Sequence, residues 1–285
     1  MNTASLKLLR NHSDRIPPHI FWPSEISQFL STYKNHWGMS NSSIEEVLKA
    51  LLRQRLIIKA EFTSNRYDTI VRYIKGEHTP EEMALSLQRD SFLSHGTALS
   101  VHGMAVPGKV IYVNREQSPK DQSSEITQGG IKFAFRNAQR QSQYVVNYLT
   151  MKYMLLSGKH TARAGVTRVK TSSGKMLEVT GIERTLIDIV VRPAYAGGIE
   201  QVANAYVTVA NKIDIAHMMD LLRRLSHAYP YHQAIGFLLE RAGQSPADCN
   251  KLALLGLEFD FYLDYRMKHP AFNKKWRLYY PAALD

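Results

Sequence analysis

The sequence predicts an α+β chain: an N-terminal winged helix-turn-helix over residues 1–75, then a mixed α/β domain over 76–285 that ends in helices. Three observations predict it. The N-terminal segment reads helix, turn, amphipathic helix, then two β-rich runs around a polar tip. Residues 109–180 hold short runs of β-branched and aromatic side chains, and from Gly181 the apolar spacing becomes helical. A length of 285 residues leaves room for two domains at roughly 100–200 residues each.

In order, Leu6, Leu8 and Leu9 suggest a short opening helix, and Pro17 and Pro18 force an extended segment through Trp22. Ser24 is placed to cap a helix running to Tyr33, and Gly38 marks a turn. Ser40, Asn41 or Ser42 then caps a helix whose apolar residues Ile44, Val47, Leu48, Leu51 and Leu52 follow one face. Its polar face carries Ser42, Ser43, Glu46, Lys49 and Arg53, with short hydrogen-bonding side chains at the end that would meet base edges. A hairpin follows, with Thr63, Ser64, Asn65 and Arg66 as its tip. These residues are the candidate DNA contacts of the first domain; a small helical packing module with no ligand is the alternative reading of the same pattern.

Beyond it, Thr79 caps a helix that starts at Pro80, and Gly103 suits the end of a helix through Ala98, Leu99 and Val101. Strands are expected at 109–114, at 131–134 (where the four-residue spacing of Lys132, Arg136 and Arg140 would also align them on a helix), around Tyr144–Leu149, at 165–169 and at 175–180, the last entered from a Ser173-Gly174 turn. Helices are expected from Ile182 and over 199–210, 215–226, 232–242 and 249–264, with a short strand or arm at 276–281.

Charge narrows the function classes. The chain carries +11, and nine of its cations fall between Ile126 and Leu177, where there is no Asp or Glu. A solvated structural face would intersperse acids, so this stretch reads as a polyanion surface. Its candidate contacts are Lys132, Arg136, Arg140, Arg163 and Arg168. The single cysteine, Cys249, cannot form an internal disulfide and has no companions for a zinc site, which points to a reducing cytoplasm. Apolar runs such as 187–191 fall far short of the about 18–20 residues that span a bilayer, and no signal peptide is expected.

Catalytic signatures are lacking: there is no GxGxxG, Walker A, GxSxG or HExxH pattern. His95 and His102 could share a helical face, but two histidines without a nearby carboxylate make a poor metal site. Glu183 and Asp188 stand five apart and point to different faces, unlike the convergent carboxylates of a two-metal nuclease. Glu183 is better read as a first-turn acid, and Asp188 as the i, i+4 partner of Arg184. No catalytic residue, cofactor or metal is expected.

The segments Phe92-Leu93-Ser94-His95-Gly96-Thr97-Ala98-Leu99-Ser100-Val101-His102-Gly103, Gly181-Ile182-Glu183-Arg184-Thr185-Leu186-Ile187-Asp188 and Arg192-Pro193-Ala194-Tyr195-Ala196-Gly197-Gly198 resemble the AbiEi family. The late helix Gly236-Phe237-Leu238-Leu239-Glu240-Arg241-Ala242-Gly243 resembles that family too. The resemblance implies a type IV antitoxin and transcriptional regulator of an abortive-infection (phage defence) system. Such a protein represses its own operon at double-stranded operator DNA with inverted repeats. It counters a nucleotidyltransferase-like toxin without forming a stable complex with it. Two rivals stay open: an enzyme that cleaves or modifies nucleic acid on the basic middle segment, and an antitoxin that sequesters its toxin directly.

Overall fold

The computed structural model describes Lys7, Asn11 and residues 15–119, 125–171 and 174–284. The expected opening helix at Leu6, Leu8 and Leu9, and Ser173 of the expected turn, lie outside the described residues. The fold is α+β, and the chain divides into two compact units: Met1–Arg89 with Tyr144–Tyr153, and Asp90–Gln143 with Met154–Asp285.

In the first unit, β1 (His19–Phe21) leads into α1 (Pro23–Tyr33), and a 3-10 turn at Lys34–Trp37 ends on Gly38 at φ +66°. Then come α2 (Ile44–Arg53), β2 (Ile58–Phe62), β3 (Ile70–Lys75) and α3 (Pro80–Leu85). The helix caps fall later or earlier than the sequence suggests. Pro23 occupies the first turn of α1, so Trp22 is its N-cap rather than Ser24, and Glu25 Oε2 accepts the Trp22 N–H at 2.8 Å. For α2 the cap is Ser43, not Ser40, Asn41 or Ser42: Ser42 and Ser43 each have a glutamate three residues on, but it is Ser43 and Glu46 that bond each other. Ser43 Oγ accepts the Glu46 N–H at 3.2 Å, and Glu46 Oε2 accepts the Ser43 N–H at 2.8 Å.

The apolar faces of α1 and α2 meet through Ile26, Leu30, Val47, Ala50 and Leu51, with Trp37 and Met39 in the same core. The three strands form an antiparallel sheet in the order β1-β3-β2, in register from Phe21 opposite Tyr73 to Phe62 opposite Ile70.

The expected boundary at residue 75 is corrected by two sets of contacts. Arg72 on β3 is buried and donates to the carbonyls of Ser86 (2.7 Å) and Leu87 (3.0 Å), while its guanidinium lies 3.7 Å from the Trp22 ring centroid. This ties the segment after α3 into the first unit. β6 (Val145–Tyr148) and the start of β7 (Met151–Gly158) also belong there. Thr63 and Asn147 exchange backbone hydrogen bonds of 3.0 and 2.8 Å, and Phe62 packs against Tyr148 and Tyr153.

In the second unit a sheet runs in the order β7-β5-β4-β9-β8, where β4 is Phe92–Leu93, β5 is Val110–Glu116, β8 is Val166–Lys170 and β9 is Met176–Thr180. Leu93 pairs in parallel with Val179; β4 with β5 and β8 with β9 are antiparallel. The helices are α4 (His95–Val101), α5 (Gln128–Arg136), α6 (Ile182–Val191), α7 (Ile199–Thr208), α8 (Ile215–Leu225), α9 (Tyr231–Arg241) and α10 (Pro246–Ala253); α4 packs on β5 and β9, and α6 packs against α4, α7, α8 and α9. Three short strands, β10 (Phe261–Tyr262), β11 (Ala271–Asn273) and β12 (Leu278–Tyr280), close the chain in the order β10-β12-β11. On α9 a glycine is required: a Cβ on Gly236 would stand 2.2 Å from the Trp276 ring.

Two expected elements are corrected here. Residues 131–134 are not a strand but the middle of α5. Thr127 caps that helix by accepting the Gly130 N–H at 3.1 Å, and Ile131 and Phe135, one turn apart, are its buried side chains. The helix expected over 249–264 stops at Ala253, before Gly256 at φ +101°, and β10 follows.

Candidate functional site

Helix α2 turns Glu45, Glu46, Lys49 and Arg53 to solvent. Their roles differ. Ser43 and Glu46 are occupied with each other in the capping box, and the backbone hydrogen bond from Ser43 holds the Glu46 carboxyl below its ordinary value. Lys49 Nζ lies 2.7 Å from Glu45 Oε1, an exposed pair one turn apart that a stronger anion can displace. Ser42 is half-buried, and its carbonyl accepts from Lys34 Nζ at 2.7 Å. Arg53 makes no side-chain hydrogen bond or ion pair among the described residues, so it is the cation on this face that is free to meet a phosphate. The hairpin tip is polar, with Asn65 and Arg66 exposed and Ser64 Oγ accepting the Arg66 N–H at 3.3 Å. The second strand begins at Ile70, so the tip extends from Thr63 to Thr69 rather than ending at Arg66.

The acid-free stretch of sequence is not free of acids in space. Glu178, one residue past its end, takes both Arg163 and Arg168: Arg163 Nη2 bonds its Oε2, and Arg168 Nε and Nη2 each lie 3.1 Å from its Oε1. Arg163 also donates to the Asp90 carbonyl. These two candidate contacts thus share one carboxylate within their own unit, which balances one of their two charges. Lys132 and Arg136 differ: both are exposed on α5, one turn apart, with no side-chain hydrogen bond or ion pair among the described residues, and Phe133 beside them is 73% exposed. Arg140 lies beyond the end of α5, so it does not extend that helical row.

A further cluster of polar residues was not legible in the sequence. The segments at 92–103, 181–188 and 192–198 converge on a cavity of about 540 Å³ in the second unit. His95 comes from the first segment, Arg184 and Asp188 from the second, Arg192 and Tyr195 from the third, and His227 closes the set. Arg184 Nε donates to Asp188 Oδ1 at 2.9 Å, as the i, i+4 spacing suggested. Gly165, at φ +73°, admits the Arg184 stem, since a Cβ there would stand 2.7 Å from Arg184 Cβ. His95 is buried with φ +50°, its Nδ1 shares a 2.8 Å hydrogen bond with Ser94 Oγ, and its ring meets that of Tyr195 edge-on at 5.2 Å. Burial pushes both His95 and His227 down to about 4, so both imidazoles are neutral at physiological pH. His102 lies elsewhere on α4's C-terminal end and donates from Nε2 to the Thr180 carbonyl at 2.6 Å. Glu183, in the first turn of α6, accepts the Asp214 N–H at 3.0 Å.

The fold is similar to that of the RV2827C protein from Mycobacterium tuberculosis, with a TM-score of 0.63 at 13% identity over 98% of this chain and 92% of that one. Neither a protein-family model nor a curated protein matches the chain.

Proposed function

We propose that the chain is a DNA-binding autorepressor and the antitoxin of an AbiEi-type abortive-infection system, with its first unit acting as a winged helix-turn-helix. The observation that supports this reading most is the arrangement of α1, α2 and the β1-β3-β2 sheet. The strand before the two helices pairs with the last strand, and the strand after them lies at the edge, a strand order that supports reading the β2–β3 hairpin as a wing. In such a unit the second helix enters the major groove and the wing follows the backbone.

On this reading Arg53 neutralises a phosphate, Ser42 and the exposed end of α2 meet base edges, and Asn65 and Arg66 reach the backbone or the minor groove. Ser43 and Glu46 hold the first turn of α2 in shape. Lys132 and Arg136 add phosphate contacts, whereas Arg163 and Arg168 brace β8, β9 and the loop before them. Repression at an inverted-repeat operator and an antitoxin role against a nucleotidyltransferase-like toxin rest on the resemblance at 92–103, 181–188, 192–198 and 236–243, and a cytoplasmic location rests on the single cysteine, Cys249. Among the described residues no helix is long and apolar enough to cross a membrane.

The test is a reporter driven by the DNA upstream of the chain's own gene, together with growth rescue on co-expression of an adjacent nucleotidyltransferase-like gene. Wild type should lower reporter output and restore growth, and Arg53→Ala should relieve repression. An unrepressed reporter with soluble, folded wild-type protein would overturn the regulator reading. Persistent toxicity would overturn the antitoxin reading.

A further inference from the structure

The cavity of the second unit holds charge that its own residues do not balance. Four cations line it, Arg140, Lys159, Arg184 and Arg192, against one carboxylate, Asp188. Arg184 and Asp188 cancel: they are bonded at 2.9 Å with both side chains more than nine-tenths buried, and Arg184 also donates to the Ala164 carbonyl. Lys159 Nζ donates to the carbonyls of Ser226 (2.8 Å) and Leu225 (3.3 Å) at the end of α8 and meets no carboxylate. Arg192 is half-buried and its guanidinium makes no hydrogen bond or ion pair among the described residues; the exposed Arg140 makes none either. A half-buried guanidinium with no partner gives up hydration without compensation, so an anion position beside it is the simplest explanation.

Two other atoms fix what the anion must carry. His227 Nε2 and Asp188 Oδ2 are both buried without a hydrogen-bond partner. A carboxylate oxygen accepts only, so Oδ2 calls for a hydroxyl or amine donor. His95 adds a backbone held in the left-handed region, a strain that clusters at binding sites. The volume, about 540 Å³, falls in the range that encloses a small organic molecule.

We propose that this cavity binds a small phosphate ester that also bears hydroxyl or amine donors, the chemistry of a nucleotide. Its phosphate lies against Arg192, with Lys159 and Arg140 beyond, and a hydroxyl or amino group donates to Asp188 Oδ2 while His227 takes a second polar contact. The proposal is independent of the DNA-binding reading, since every residue in it belongs to the second unit.

Isothermal titration of the full chain with adenosine and guanosine mono- and triphosphates, ribose 5-phosphate and inorganic phosphate tests it. One of the nucleotides or the sugar phosphate should bind, and more tightly than inorganic phosphate. Arg192→Gln should raise its Kd by about tenfold or more, the loss of a charge-assisted hydrogen bond, with an unchanged melting curve. Arg140→Gln, exposed and unable to perturb the core, should raise it by a smaller factor. No heat from any phosphate ester, inorganic phosphate binding as tightly as the best ester, or an unchanged Kd in Arg192→Gln would each overturn the proposal.

Discussion

Acid should destabilise the second unit in a way that can be traced to two residues. His95 and His227 are both held down to about 4 by burial, against the usual 6.5. Between those values the unfolded chain binds a proton at each position that the folded chain does not. Stability therefore stays at its full value above about pH 6.5 and falls as pH drops toward 4. At pH 5 each histidine accounts for about 2 kcal/mol, and the pair for about 4 kcal/mol. With a urea dependence of about 2–3 kcal/mol per molar, the unfolding midpoint should fall by about 1.3–2 M between pH 7 and pH 5. Asp264, whose carboxyl burial raises, acts in the opposite direction, and His232, which burial lowers, in the same one, so the attribution needs a variant. His227→Gln should remove about half of the loss. NMR of the ring resonances provides the direct readout: neither imidazole should titrate above about pH 5. Equal urea midpoints at the two pH values, or ring titrations near 6.5, would refute the reasoning.

Other outcomes follow from local geometry. Ser43→Ala removes the acceptor for the Glu46 N–H and should cost about 1 kcal/mol in denaturant unfolding of the first unit. Gly236→Ala places a methyl group against the Trp276 ring and should lower stability by about 2–3 kcal/mol in thermal or urea melts. Arg66→Ala should weaken DNA binding by about 1 kcal/mol, read by anisotropy. The Lys132→Ala, Arg136→Ala double variant should keep sequence preference while flattening the slope of log K against log salt, by roughly 0.9 for each phosphate it no longer neutralises.

What the sequence disclosed was local. The Thr79 cap, the amphipathic face of α2 and the Arg184–Asp188 pair all depend on residues three or four apart, and they stand where the spacing put them. Misreadings arose where a short window was ambiguous or a distant partner decided. Ile131, Phe133 and Phe135 alternate like a strand, yet Ile131 and Phe135 are also one helical turn apart, and Thr127 upstream selects the helix. Residues 144–153 join the first unit through Thr63 and Asn147, a pairing between distant parts of the chain that no local pattern announces. The acid-free stretch misled because Glu178 sits just outside it and folds back through the β8–β9 hairpin onto Arg163 and Arg168. The cavity was hidden for the same reason, its polar groups coming from segments as far apart as His95 and His227.

The central claim is that α2 reads DNA, and fluorescence anisotropy over a salt series tests it most directly. The full chain is used, because a cut at residue 75 would strip α3 and residues 144–153 from the first unit. The titration compares the chain's own upstream duplex with a scrambled duplex, for wild type and Arg53→Ala. Wild type should prefer the upstream duplex. Arg53→Ala should bind both duplexes more weakly, with a slope of log K against log salt shallower by about one unit. Equal affinity of wild type for the two duplexes, or an Arg53→Ala variant with unchanged affinity and slope, would contradict the account.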